Sequence, residues 1–217
     1  MRGPPARPVG QGAGSRGPAR RRAPFSFRPH EDSPTVRTHF DVFGLPRSHA
    51  VDVPALEKQF RELSLQLHPD RVAQGSAKER LQALEGTTAL NEAYKTLKDP
   101  VRRAFYLLKL HGIDLDREDA GAQKDMPLTF LEEVMTLREE LDDAIAAKDL
   151  PKAQAMAKDV AGRKQAALAE AVSALQGLEG AGDSQDGVRK ASHALGRVRY
   201  FTRFLEQVDA FEEEVLA

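Results

Sequence analysis

From His39 to the C-terminus, apolar residues recur at three- and four-residue steps, and no stretch alternates polar and apolar residues between hairpin turns. A chain patterned this way buries itself by packing helix on helix, so the expected class is all-α. Helix breakers divide the pattern. A short element around Phe40, Phe43 and Leu45 ends at Pro46. Asp52 is a suitable N-cap with Pro54 in the first turn, and Leu56, Phe60, Leu63 and Leu67 follow on one face as far as Pro69. The capping box Ser76 to Glu79 opens a third helix, on which Leu81, Leu84, Leu90, Tyr94 and Leu97 are expected to be buried. Asp99 and Pro100 end it and open a fourth, with Ala104, Leu107, Leu108 and Leu110 apolar and Gly112 fit for the C′ position.

After a mostly polar stretch containing Gly121, a second helical unit begins. Its first helix, from about Leu128 to Ala146, carries Phe130, Val134, Leu137 and Leu141. Its second, roughly Pro151 to Leu178, carries Ala153, Met156, Val160, Ala167, Ala171, Leu175 and Leu178. Gly180, Gly182 and Gly187 are expected to mark a turn, and a last helix repeats the pattern with Val188, Ala191, Leu195, Val198, Leu205 and Val208. Short connections between such helices make an antiparallel bundle. Tyr106, Leu107, Leu108 and Leu110 exceed one stripe, which suggests that the fourth helix also touches this second unit.

Composition limits the chemistry. Without Cys there is no disulfide, thiolate metal site, cysteine nucleophile or cysteine-held iron–sulfur cluster. The six His are scattered at 30, 39, 49, 68, 111 and 193, no motif places a Ser or Thr nucleophile, and a three-residue turn is a poor acid–base dyad, so neither catalysis nor a cofactor is expected. No apolar run approaches the roughly 18 residues of a membrane span. Residues 1–37 hold eight Arg against two acids, with seven Pro and five Gly, and read as a disordered tail. The remaining 180 residues hold 24 basic against 31 acidic side chains, an acidic body that argues against nucleic acid as the main partner. A cytoplasmic location is expected. The Arg-rich, acid-poor tail leaves a mitochondrial transit peptide, and hence the matrix, as the alternative, although its Pro and Gly would break an amphipathic helix; translation starting near Val36 is another reading.

His68, Pro69 and Asp70 fall between two amphipathic helices. Pro disfavours the α conformation of the residue before it, so the helix should stop near Leu67 and leave His68 and Asp70 on an exposed turn. With His39-Phe40-Asp41-Val42-Phe43-Gly44-Leu45-Pro46 before it, and Leu90-Asn91-Glu92-Ala93-Tyr94 and Leu97-Lys98-Asp99-Pro100 after it, the stretch 38–112 resembles the J-domain family. The resemblance implies a partner, the ATPase domain of a DnaK-like or HscA-like chaperone, which the turn stimulates without a catalytic residue of its own. Lys58 and Arg61, on the outer side of the second helix, and Arg71 after the turn could meet an acidic partner surface; Lys58 and Arg61 read equally as a solvated face diluted by Glu57 and Glu62.

Leu131 and Met135 lie one position beyond Phe130 and Val134, forming a second stripe rotated by about 100° and continued by Glu139 and Asp143. From periodicity alone, burial of such a wide apolar face between bundle helices is the favoured reading over a partner site. Phe130-Leu131-Glu132-Glu133 and Leu137-Arg138-Glu139-Glu140-Leu141-Asp142-Asp143, together with Leu107-Leu108 and Leu110-His111-Gly112, resemble HscB-type co-chaperones of iron–sulfur cluster assembly. That resemblance implies a surface for the cluster scaffold protein made of Leu131, Met135, Glu139, Asp143 and Tyr200. Glu132 stands where a Met is familiar and Thr136 where an acid is, which puts affinity in doubt. Tyr200 could also be a core aromatic, since Val198 and Phe201 compete to define the inward face.

The expected organisation is a tail (1–37), a J-domain (38–112), a connector (113–126) and a C-terminal three-helix bundle that binds the scaffold (127–217). The expected function is delivery of the scaffold to the chaperone, promoting cluster transfer to apo-proteins. The alternative is a general J-domain co-chaperone for other protein clients, against which stands the lack of a Gly/Phe-rich linker or Cys-rich zinc module.

Overall fold

In the computed structural model, residues 37–67, 75–115, 126–181 and 184–217 are described, and all their regular structure is α-helical. The expected tail up to Val36, the His68, Pro69, Asp70 turn with Arg71, and most of the 113–126 connector lie outside the described residues. Among the described residues the helices follow in the order α1 (His39–Phe43), α2 (Val53–Gln66), α3 (Ala77–Lys98), α4 (Pro100–Leu110), α5 (Leu128–Ala146), α6 (Leu150–Ala181) and α7 (Gln185–Leu216).

Local chemistry accounts for most of the boundaries. Thr38 and Asp41 form a capping box that starts α1, the Asp41 carboxylate accepting from the Thr38 N–H at 2.8 Å, and Gly44 ends the helix at φ 61° in the left-handed region. Asp52 accepts from the Ala55 N–H at 3.1 Å to start α2, and Ser76 and Glu79 form the expected box on α3. Asp99 ends α3 and caps α4 through the Arg102 N–H at 2.8 Å, with Pro100 in the first turn, where its missing N–H costs nothing. Gly112, at φ 89°, follows α4 as expected.

The first four helices pack around Phe40, Leu56, Leu90, Leu97 and Leu108, each no more than 2% exposed. Burying each such side chain stabilises the fold by about 1.5–3 kcal/mol. Two expectations on α3 fail: Leu81 and Leu84 are 54% and 58% exposed. The buried stripe is Ala83, Leu90, Ala93 and Leu97. At 100° per residue Leu81 stands opposite Leu90 and Leu84 about 120° away, so their hydrophobicity does not place them inward.

The C-terminal unit is a bundle of α5, α6 and α7. The long pair α6 and α7 is antiparallel: Gln154 bonds Glu212 at 2.9 Å, Glu170 pairs with Arg197, and Leu178 meets Gly187, each partner stepping back along α7 as α6 advances. The buried residues of α6 include small ones (Ala153, Ala167, Ala171) and those of α7 large ones (Phe201, Phe204, Phe211). Phe204 and Phe211 are buried while Leu205 is only partly so: Phe204 lies three residues after Phe201 and four before Val208, on the face that both share with Phe211. Gly180 and Gly187 lie inside helices rather than in a turn. At Gly187 a Cβ would come within 2.7 Å of Leu178 Cδ2, so this glycine serves close approach.

The fourth helix packs against α3 and also against α6 and α7, and the buried residues of both units form one continuous core. Arg199 on α7 donates to the Leu115 carbonyl beyond α4, adding a polar tie to the same junction. The contact foreseen for α4 is therefore present. Leu107 and Leu108 are buried, while Tyr106 and Leu110 are partly buried.

Candidate functional site: two exposed surfaces

The end of α2 is fixed by α3. The Thr87 hydroxyl donates to the Leu67 carbonyl at 3.1 Å, and the Leu67 side chain lies over Gly86, where a Cβ would stand 3.6 Å from it. Phe60 stacks on Tyr94 with ring centroids 4.0 Å apart, and Glu57 bonds both Lys98 at 2.9 Å and the Tyr94 hydroxyl at 3.3 Å. These contacts hold the residue immediately before His68 in place, whatever the sequence does next.

Lys58 and Arg61 are exposed on the side of α2 away from Leu56 and Leu63; Arg61 pairs with Glu57 at 3.7 Å across one turn. Between them in helical phase stands Leu65, 72% exposed, an apolar residue on a cationic face. Its signal was present in the sequence as a leucine opposite the buried stripe. The structure thus brings Lys58, Arg61 and Leu65 onto one face leading to the 68–71 segment.

On α5 the inward stripe is Phe130, Leu137, Leu141 and Ala144, with Val134 half-buried. Leu131 and Met135 are 41% and 62% exposed, and Glu139 and Asp143 are exposed on the following turns. The wide apolar face is therefore on the surface, and the bundle does not cover it. Leu128, 77% exposed, extends it by one turn toward the N-terminus; its spacing of three from Leu131 would have revealed it.

Tyr200 divides the two readings of its role. Val198 and Phe201 are buried, while Tyr200 is half-buried at the edge of the bundle. Its ring meets Phe130 edge-on at 5.9 Å and its hydroxyl donates to the Val134 carbonyl at 3.0 Å. Desolvation raises the phenol pKa above its ordinary value, so Tyr200 remains a neutral donor. It stands against the α5 turn bearing Leu131 and Met135. Thr136, one of the two departures, turns its hydroxyl back to the Glu132 carbonyl at 3.1 Å, and both residues are exposed.

Among the described residues no group of three or more His, Asp or Glu is placed to hold a metal ion, and no helix is long and apolar enough to cross a membrane.

A pair of packed helices, α2 and α3, followed by a bundle with an uncovered apolar stripe, is the architecture of a J-domain co-chaperone with a C-terminal helical domain. Comparison with known proteins specifies the class. Residues 38–106 match the DnaJ domain and residues 126–209 match the HSCB C-terminal oligomerisation domain. A co-chaperone protein HscB homolog from Burkholderia thailandensis is 38% identical over 133 residues, 61% of this chain and 74% of that one. The structure of chaperone HscB from Vibrio cholerae superposes with a TM-score of 0.65 at 31% identity, covering 82% of this chain and 99% of that one. That of human co-chaperone HscB superposes with a TM-score of 0.68 at 29% identity, covering 83% and 84%. The chain belongs to the HscB family of co-chaperones.

Proposed function

We propose that this protein stimulates the ATPase of a DnaK-like or HscA-like chaperone and delivers to it the scaffold protein on which iron–sulfur clusters are built. In this reading residues 38–112 act as the J-domain and 127–217 as the scaffold-binding bundle. His68, Pro69 and Asp70 engage the chaperone, with Lys58, Arg61 and Arg71 facing its acidic surface and Leu65 adding an apolar contact. Leu131, Met135 and Tyr200 form the centre of the scaffold surface, with Glu139 and Asp143 at its acidic end. No residue acts as a catalyst; the chemistry belongs to the chaperone. The work is done in the cytoplasm, with the mitochondrial matrix the alternative if the tail is a transit peptide.

The observation that carries the scaffold half is the exposure of Leu131 and Met135 beside Tyr200. Solvent-facing apolar side chains at consecutive turns, rimmed by carboxylates, are what a partner site needs and a monomer does not. The mechanism is tethering: with α4 packed on α6 and α7, the two surfaces belong to one core, and a scaffold held on α5 is kept at high effective concentration near the chaperone. Titration of the scaffold protein against wild type and the Leu131→Ala, Met135→Ala pair tests this. A loss of tenfold or more in affinity is expected, since a few central contacts dominate an interface. Unchanged affinity overturns the surface and favours a co-chaperone for other protein clients.

A further inference from the structure

Where α4 meets the α6 and α7 pair, a cleft of about 680 Å3 opens, lined from one side by Arg102, Phe105 and Lys109 and from the other by Lys164, Arg199 and Arg203. Five cations face it against three carboxylates, Asp99, Asp114 and Glu206, although residues 38–217 as a whole are acidic. Asp114 pairs with Lys109 at 2.8 Å, Asp99 accepts from the Arg102 N–H at 2.8 Å and keeps its charge, and Glu206 forms no ion pair among the described residues. Arg199 is committed to the Leu115 carbonyl. The side chains of Arg102, Lys164 and Arg203 remain, and none of them forms an ion pair or hydrogen bond among the described residues. Outside the cleft the cations of α7 are paired, Arg189 and Lys190 with Asp186 and Arg197 with Glu170, and on α6 Arg163 pairs with Glu133 and Asp159, whereas Lys152 and Lys158 form no ion pair among the described residues.

We propose that this cleft binds a small phosphate-bearing molecule. Three cations with no ion pair among the described residues line one cleft whose five cations outnumber its three carboxylates by two, and a ligand carrying two or more negative charges balances that excess. Two of them are guanidinium forks, which match the oxygens of a phosphate in paired hydrogen bonds, and the Lys ammonium adds a point charge. Phe105 and Val101 give the same cleft an apolar wall for the body of a phosphate ester. Its volume lies within the roughly 300–1,000 Å3 of ligand pockets, and a junction between structural units is where such pockets concentrate. A ligand here touches α4 on one side and α6 and α7 on the other, so its binding reinforces the junction that joins the two proposed partner surfaces.

The test is calorimetric titration of the full chain with inorganic pyrophosphate, in low salt, beside citrate as a carboxylate of comparable charge. Wild type is expected to bind pyrophosphate at least fivefold more tightly than citrate. The pair Lys164→Ala, Arg203→Ala removes one half-buried and one exposed side chain and is expected to weaken pyrophosphate binding at least tenfold, while Lys190→Ala, a paired cation on α7 outside the cleft, leaves it unchanged. Absence of pyrophosphate binding, equal loss in Lys190→Ala, or binding that survives the double change would each overturn the site. Citrate binding as tightly as pyrophosphate would overturn the assignment to phosphate.

Discussion

The Tyr200 hydroxyl on α7 donates to the carbonyl of Val134 on α5 at 3.0 Å. Because Val134 lies between Leu131 and Met135, this bond sets the rotation of α5 that turns those two side chains outward. Tyr200→Phe keeps the edge-on contact with Phe130 but removes the bond. It is expected to lower stability by about 1 kcal/mol, the net worth of one hydrogen bond, read as a lower urea midpoint at unchanged slope. No change in midpoint would mean the bond does not hold α5.

Exposure makes the opposite prediction for the stripe itself. Leu131→Ala and Met135→Ala remove side chains that face water, so each is expected to change stability by no more than about 0.5 kcal/mol. A thermal melt that falls by many degrees would show that the bundle, rather than a partner, uses these residues.

Arg103 is 4% exposed and is the strongest buried polar feature of the N-terminal unit. Its guanidinium donates to the carbonyls of Leu97 at 2.7 Å, His49 at 2.6 Å and Lys98 at 3.2 Å, joining the end of α3, the start of α4 and the loop before α2. Arg103→Met retains the stem but leaves three carbonyls without this partner. A loss of about 3 kcal/mol is expected in denaturant unfolding, and a loss below about 1 kcal/mol would contradict it.

His39 stacks on Tyr106 at 4.2 Å, and its pKa lies below the usual imidazole value, chiefly through desolvation, with Lys109 acting in the same direction and Glu92 against. The unfolded chain, at the ordinary value of about 6.5, takes up the proton first. The neutral ring's contribution to stability is therefore complete above that value and is lost as pH falls through the lowered pKa. An NMR titration should place the His39 midpoint below 6.5, and wild type should lose stability on acidification in that window more steeply than His39→Gln. A midpoint above 6.5 would reverse the sign.

Much of this architecture is written locally. Asp52, Ser76 and Asp99 cap the helices they were expected to cap, because a short polar side chain before an apolar run satisfies N–H groups that have no other partner. What failed depended on phase or on distant neighbours. Leu81 and Leu84 are apolar but out of phase with Leu90, and Leu205, although seven residues after the buried Val198, is less buried than Phe204 because α6 and α5 decide which of the two adjacent positions is covered. Gly187 resembled a turn residue because the close approach of Leu178 belongs to another helix. Periodicity alone favours burial of Leu131 and Met135, yet both face solvent, since burial depends on which helices cover α5. Arg103 gave no local signal at all, because its three acceptors converge only in the folded chain.

Single-turnover ATP hydrolysis by the cognate DnaK-like chaperone, with and without the cluster scaffold, tests the coupling of the two surfaces most directly. The comparison is among wild type, His68→Gln and the Leu131→Ala, Met135→Ala pair. The account predicts that His68→Gln abolishes stimulation under both conditions, while the pair loses only the part that depends on the scaffold. Equal stimulation with and without scaffold, unaffected by the pair, would contradict it.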